Sequence, residues 1–99
     1  MYSTNEDIRD GLLRGRATKK DHEKAEKYID NVLFRFNAPD HIKSLPLVKE
    51  LAVAFASYKI AFRLWMKPGD LFHQKVKQHE RVVAHKTNAL IRICNKCRK

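Results

Sequence analysis

The chain has 99 residues, with 21 Lys or Arg against 11 Asp or Glu and a formal net charge of +10. This length suits one domain, residues 1–99, with a single modest core. Three glycines, three prolines and the lack of a low-complexity tract indicate a compact and mostly helical chain. The acidic start MYSTNED does not resemble a secretory signal peptide, so a reducing cytosol is the default compartment.

The first two helices are predicted from their capping signals. The first covers about residues 4–14, with Thr4 as its cap and a carboxylate three residues later. The second begins at Thr18 and carries Asp21 in its first turn, where a carboxylate opposes the positive end of the helix dipole. Its apolar residues recur at the spacing of one helical face, and Asn37 ends it.

The last two predicted helices are long and antiparallel. After a short connector, Pro46 stands where the first residue of a helix should, and the third helix covers about residues 46–66. Asp70 then caps a fourth helix over about residues 70–96. Strand-like alternation does not occur in the sequence. The predicted fold is therefore all-α, a small domain of four helices.

The third helix carries an unusually apolar run, LAVAFASYKIAFRLWM. The run is shorter than the roughly 20 residues of a membrane span and contains two basic residues, so we predict no membrane insertion. Its apolar arc on a helical wheel is about 240° wide, far more than one buried face needs. The other three helices of the chain could enclose this arc. The width favours a second interpretation, a contact with a neighbouring subunit through Val53, Ile60 and Leu64.

Positive charge is concentrated in the last third of the chain, where residues 70–99 hold eight Lys or Arg against two acidic residues. On the wheel of the fourth helix, the polar stripe has positive formal charges only; we call it the basic stripe, and it comprises Gln74, Lys77, Arg81, His85, Asn88, Arg92 and Lys96. A solvated face is the simpler explanation, but like charges along a helix repel. We therefore predict contact with DNA phosphates or an acidic protein surface, through Lys77, Arg81, Arg92 and Lys96.

Cys94 and Cys97 form a single CxxC at the C-terminal end of the fourth helix. A redox pair prefers the N-terminal end of a helix, where the dipole lowers the thiol pKa. A structural zinc site takes four ligands, and the sequence has no second CxxC, although two subunits could each donate one. The pattern favours two packed sulfurs, with no metal and no cofactor.

Enzymatic activity is not predicted. The sequence contains no glycine-rich phosphate loop, no GxSxG and no carboxylate pair that spacing alone brings together. His22 and His41 are isolated in the sequence, and we expect each to be an ordinary surface residue.

The order of these parts resembles the small head–tail connector proteins of tailed bacteriophages, also called adaptor or head-completion proteins. The resemblance covers nearly the whole chain and depends on pattern rather than on an invariant motif. It is carried by the segments YSTNEDIRDGLL, EKAEKYIDNVLFRFNAP, PLVKELAVAFASYKIAFRLW and GDLFHQKVKQHERVVAHKTNALIRI.

The resemblance implies a structural virion protein in the neck between head and tail, present in the host cytoplasm during assembly. It implies a ring of about twelve copies under the portal protein, with a tail or stopper protein below and double-stranded DNA passing through its channel. From the residues alone, the alternative is a small cytoplasmic helical protein that binds nucleic acid without sequence specificity.

Overall fold

The computed structural model describes residues 2–66 and 70–97. Within these residues the chain forms four α-helices and two short 3₁₀ segments, and no β-strand. The helices are α1 (Gly11–Arg14), α2 (Lys19–Arg35), α3 (Pro46–Leu64) and α4 (Leu71–Cys97). The 3₁₀ segments are Asn5–Asp7 and Asp40–Ser44. The predicted all-α, four-helix class is confirmed.

The N-terminal segment differs from the prediction of one helix over residues 4–14. It forms a 3₁₀ turn, an extended stretch and then the single turn α1. The cause is a second cap, because the Asp10 carboxylate accepts hydrogen bonds from the N–H groups of Leu12 and Leu13 at 3.0 and 3.3 Å. The extended stretch between the two caps turns Ile8 into the core, where it has no exposed surface.

Both ends of α2 lie where the sequence predicts them. At its start, the Asp21 carboxylate accepts hydrogen bonds from the N–H and the hydroxyl of Thr18, at 2.9 and 3.0 Å. At its end, Asn37 has a φ of 50° in the left-handed region. This conformation brings the Ala38 N–H to the Leu33 carbonyl oxygen at 2.9 Å, as in a Schellman cap.

The long helices α3 and α4 pack side by side in opposite directions. Pro46 is the first residue of α3, as predicted. Asp70 caps α4, since its carboxylate accepts a hydrogen bond from the His73 N–H at 2.8 Å. Near the start of α3, Glu50 forms an ion pair at 3.1 Å with Lys86, halfway along α4. This pair and the cap at residue 70 show the antiparallel arrangement.

The rest of the chain encloses most of α3. On the side of α2, Ala52 and Ala56 are completely buried in the main core together with Ile29 of α2 and with Leu90 of α4. On another side, the N-terminal segment closes a second core cluster, which consists of Ile8, Leu13, Ile60, Ala61 and Val76. The wide apolar arc of α3 is therefore largely covered within one chain.

Candidate functional site

The basic stripe lies on the outer face of α4, opposite the buried line that ends in Leu90 and Cys94. All seven of its residues are exposed, as the helical wheel predicts. Lys77 and Lys96 are 19 residues apart, which corresponds to about 28 Å at 1.5 Å per residue. This length matches roughly eight base pairs of DNA at 3.4 Å per pair.

The basic side chains on the flank of α4 are neutralised within the chain, in contrast to those of the stripe. Lys75 forms an ion pair with Asp10, and Lys86 forms one with Glu50. Among the described residues, no acidic side chain forms an ion pair with the four cations of the stripe. Their charge is therefore directed to solvent, where it is available to an anionic partner.

The ion pair on the flank is strong enough to change the acidity of Asp10. Burial raises the pKa of its carboxyl. The Lys75 ammonium and the N–H groups of Leu13 and Leu12 outweigh this effect, so the pKa lies below the ordinary value. The pair fixes the N-terminal segment to α4 and is not available to a ligand.

The three residues predicted at a subunit interface lie in different environments. Ile60 has no exposed surface in the single chain and belongs to the second core cluster. The single chain leaves no Ile60 surface open to a neighbouring molecule, and the role of Ile60 at a subunit interface stays a prediction. Val53 and Leu64 are half-buried, so each retains surface that a second molecule could contact.

A groove of about 880 Å³ lies between the N-terminal segment, α3 and α4, and Val53 lines it. His79 of α4 lines the same groove and is half-buried. Burial lowers the pKa of the His79 imidazole, the Asp10 carboxylate opposes this shift, and the Lys75 ammonium adds to it. The neutral imidazole is therefore the form that the folded chain favours.

A row of aromatic side chains follows α3, and two of its members, Tyr58 and Trp65, pack against the second core cluster. Phe55, Tyr58, Phe62 and Trp65 have successive ring centroids 6.1, 6.1 and 6.0 Å apart. Phe62 is 52% exposed, and the other three are half-buried. The helical wheel places these residues on one line, but only the packing of the chain shows that this line reaches the surface.

His22 is not the surface residue that the sequence predicts. It is 3% exposed, with Nδ1 2.7 Å from the Ser3 hydroxyl and Nε2 2.7 Å from the Asn5 side-chain oxygen. Ser3 is also buried, at 2% exposure, so a substrate cannot reach this group and we assign it a structural role. Sequence spacing contains no signal for these contacts. His41 is exposed, as predicted.

The cysteine prediction is tested at one of its two positions. The Cys94 side chain is completely buried and packed in the main core. The side chain of Cys97 lies outside the described residues. Among the described residues, no three His, Cys, Asp or Glu side chains come together as metal ligands.

Comparisons with known proteins do not identify the chain. No protein-family model, no curated protein and no solved structure matches it. In the part of the chain that the structure describes, no helix has both the length and the apolar character of a membrane span.

Proposed function

We propose that this chain is a structural DNA-binding protein without enzymatic activity, a ring subunit of the head–tail connector type. The observation that supports the proposal is the basic stripe, whose four cations are exposed and unpaired with acidic side chains of the described residues. A cation row about 28 Å long along one helix suits a repetitive polyanion.

The contact that we propose is with backbone phosphates rather than with bases. Lys and Arg side chains bind phosphates by charge, and this binding depends little on sequence. In a connector ring, the stripe of each subunit would face the DNA channel or an acidic surface of the portal protein. The half-buried Val53 and Leu64 would contact the neighbouring subunit or the protein above or below.

A second candidate function is supported by the burial of Ile60. Because this residue packs inside its own chain, the apolar arc of α3 requires less cover from a second subunit than its width indicates. A monomeric or dimeric cytoplasmic protein could use the same stripe to bind nucleic acid without sequence specificity.

The stripe is tested by the salt dependence of binding to two duplexes of unrelated sequence, measured by fluorescence anisotropy. We expect equal affinity for both duplexes and a steep decrease with salt. Each neutralised phosphate contributes about −0.9 to the slope of log K against log salt, so Lys77→Gln with Arg81→Gln should flatten the slope by up to ~2. Both residues are exposed, so the circular dichroism spectrum should not change.

The matched control removes the same two charges from α2, through Lys24→Gln with Lys27→Gln, both exposed. We expect this variant to retain most of the slope. If both variants flatten the slope equally, binding reflects net charge and the stripe is not the site. If the wild type binds an acidic portal surface in a salt-sensitive manner but has little affinity for free DNA, the portal contact is supported instead.

The two candidate functions are distinguished by assembly. Electron micrographs of the purified protein, alone and mixed with its portal protein, should show rings if the chain is a connector subunit. Particles that remain monomeric or dimeric in both samples while DNA binding persists would favour the second candidate.

A further inference from the structure

Four basic side chains surround the connection between α1 and α2. The segment RGRATKK, residues 14–20, contains Arg14, Arg16, Lys19 and Lys20, and we call it the basic linker. All four side chains are exposed. Among the described residues, none of the four forms an ion pair with a carboxylate. The basic linker is therefore a second dense group of cations, separate in sequence from the basic stripe of α4.

The carboxylates near the basic linker leave most of its charge uncompensated. Asp21 is 2% exposed and pairs with Arg63 at 3.0 Å. Asp10 pairs with Lys75 of α4. Glu23 is exposed one helical turn after the two lysines, where it can offset at most one of the four positive charges. A net charge of +3 therefore remains, since four cations face one available carboxylate.

The backbone of the basic linker is held in place on two sides. The Arg16 N–H donates to the Leu13 carbonyl oxygen at 3.0 Å, and the Ala17 N–H donates to the Arg14 carbonyl oxygen at 3.2 Å. From α3, the Arg63 guanidinium donates to the Arg16 carbonyl oxygen at 2.8 Å. A backbone that is already ordered presents its side chains to a ligand without a further ordering cost for the main chain.

The positions of the two lysines do not favour the stability of α2. Lys19 and Lys20 are its first two residues, at the positive end of the helix dipole, where cations are unfavourable. They also lie beside two arginines of the same sign. Residues that break a local stability rule without a compensating contact are typical of functional surfaces. The charge of the linker therefore indicates an anionic partner rather than a role in folding.

The basic linker and the basic stripe face different directions. The stripe is opposite the buried line of α4, where Leu90 and Cys94 belong to one core cluster with Ala25 of α2 and Ala52 of α3. The stripe therefore faces away from α2 and α3. The linker, in contrast, is bonded to α3 through Arg63 and leads directly into α2.

We propose that the basic linker binds the backbone phosphates of a second DNA segment, so that the chain bridges two duplexes. Double-stranded DNA carries one negative charge per ~1.7 Å of its axis, a density that suits four cations within seven residues. Arginine and lysine both bind phosphate oxygens, and arginine does so with two parallel hydrogen bonds. The inference rests on the proposed function, because the basic stripe holds the first duplex.

The test measures bridging of two duplexes separately from binding of one. One duplex carries biotin, a second duplex of unrelated sequence carries a fluorophore, and bridging is the fluorescence that streptavidin beads retain with the protein. Lys19→Gln with Lys20→Gln should weaken bridging by at least ~10-fold, since each lost phosphate contact removes ~0.9 from the salt exponent of binding. Fluorescence anisotropy should show that this variant still binds a single duplex, because its stripe is intact.

A matched control and a stability measurement separate this role from a structural one. Lys24→Gln with Lys27→Gln removes two exposed charges from the same helix and should bridge like the wild type. The urea midpoint of Lys19→Gln with Lys20→Gln should be unchanged or higher, because neutral side chains remove the unfavourable interaction with the dipole. Lys77→Gln with Arg81→Gln should weaken both bridging and the binding of a single duplex.

The inference is overturned if Lys19→Gln with Lys20→Gln bridges like the wild type, or if the control loses bridging to the same extent. It is also overturned if the linker binds vesicles of phosphatidylcholine with phosphatidylserine but no second duplex. A wild type that binds one duplex through the stripe and does not bridge contradicts the inference alone. A wild type that binds no DNA contradicts both the inference and the DNA contact of the proposed function.

Discussion

The substitution Ile60→Ala distinguishes a core role for α3 from an interface role. Ile60 has no exposed surface and is packed with Ile8, Leu13, Ala61 and Val76. Removing three carbons from such a site costs the transfer free energy of the lost atoms and leaves a cavity, about 3 kcal/mol within the ~2–5 kcal/mol range of such changes. Alanine has a higher helix propensity than isoleucine, which offsets only about 0.4 kcal/mol of this loss of stability.

The expected loss is a large part of the stability of a domain this size, ~5–15 kcal/mol. For a chain of about 100 residues it corresponds to a decrease in Tm of roughly 10–20 °C. Urea and thermal denaturation followed by circular dichroism measure the change in dilute solution. Val53→Ala is the matched control, because Val53 is half-buried two turns earlier on α3 and should lose about 1 kcal/mol or less.

This reasoning would be refuted if Ile60→Ala left the Tm unchanged but abolished assembly. Ile60 would then lie at a subunit interface, and the packing of the N-terminal segment against α3 would be different in solution. A decrease in Tm that is the same at low and high protein concentration would confirm that Ile60 stabilises the monomer.

Three further predictions follow from individual contacts. Asp21→Ala should destabilise the fold by ~2 kcal/mol in urea denaturation. The substitution removes a helix-capping hydrogen bond worth about 1 kcal/mol and also the ion-pair partner of Arg63. An unchanged urea midpoint would contradict the cap. Asn37→Ala should cost ~1 kcal/mol because φ is positive there, whereas Asn37→Gly should be neutral or stabilising; equal stability of the two variants would contradict the left-handed conformation. The lowered pKa of His79 means that the folded state favours the neutral imidazole, so stability should decrease as the pH falls below the unfolded value of about 6.5. His79→Gln should flatten this decrease in urea midpoints, and a decrease that persists in full would assign it to other groups.

Local rules of the sequence determined the elements and their ends. The predicted helix ends are found at Thr18, Asn37, Pro46 and Asp70, because each helix end depends on a few neighbouring backbone groups. The exposed side of α4 was predictable for the same reason, since its period of 3.6 residues separates polar from apolar positions without knowledge of the partner helix.

The competition between two caps in the N-terminal segment was harder to predict. Thr4 and Asp10 each offer a helix start, and the sequence pattern favours one continuous helix over both. In the folded chain, Asp10 caps its own short helix and also binds Lys75 of α4. The burial of Ile8 stabilises the extended stretch between the caps. This stabilisation depends on an apolar surface formed by distant parts of the chain.

The tertiary structure decided which faces of α3 are covered. A helical wheel shows that an arc is apolar, but the same arc can be buried by the chain or by a second copy. Here the N-terminal segment folds back over Ile60, and the same segment brings Ser3 and Asn5 to His22. The residues in these contacts are separated by between 17 and more than 50 positions in the sequence, and no local pattern encodes the contacts. The aromatic row with Phe62 remained at the surface because the chain has no further helix to cover it within the residues that the structure describes.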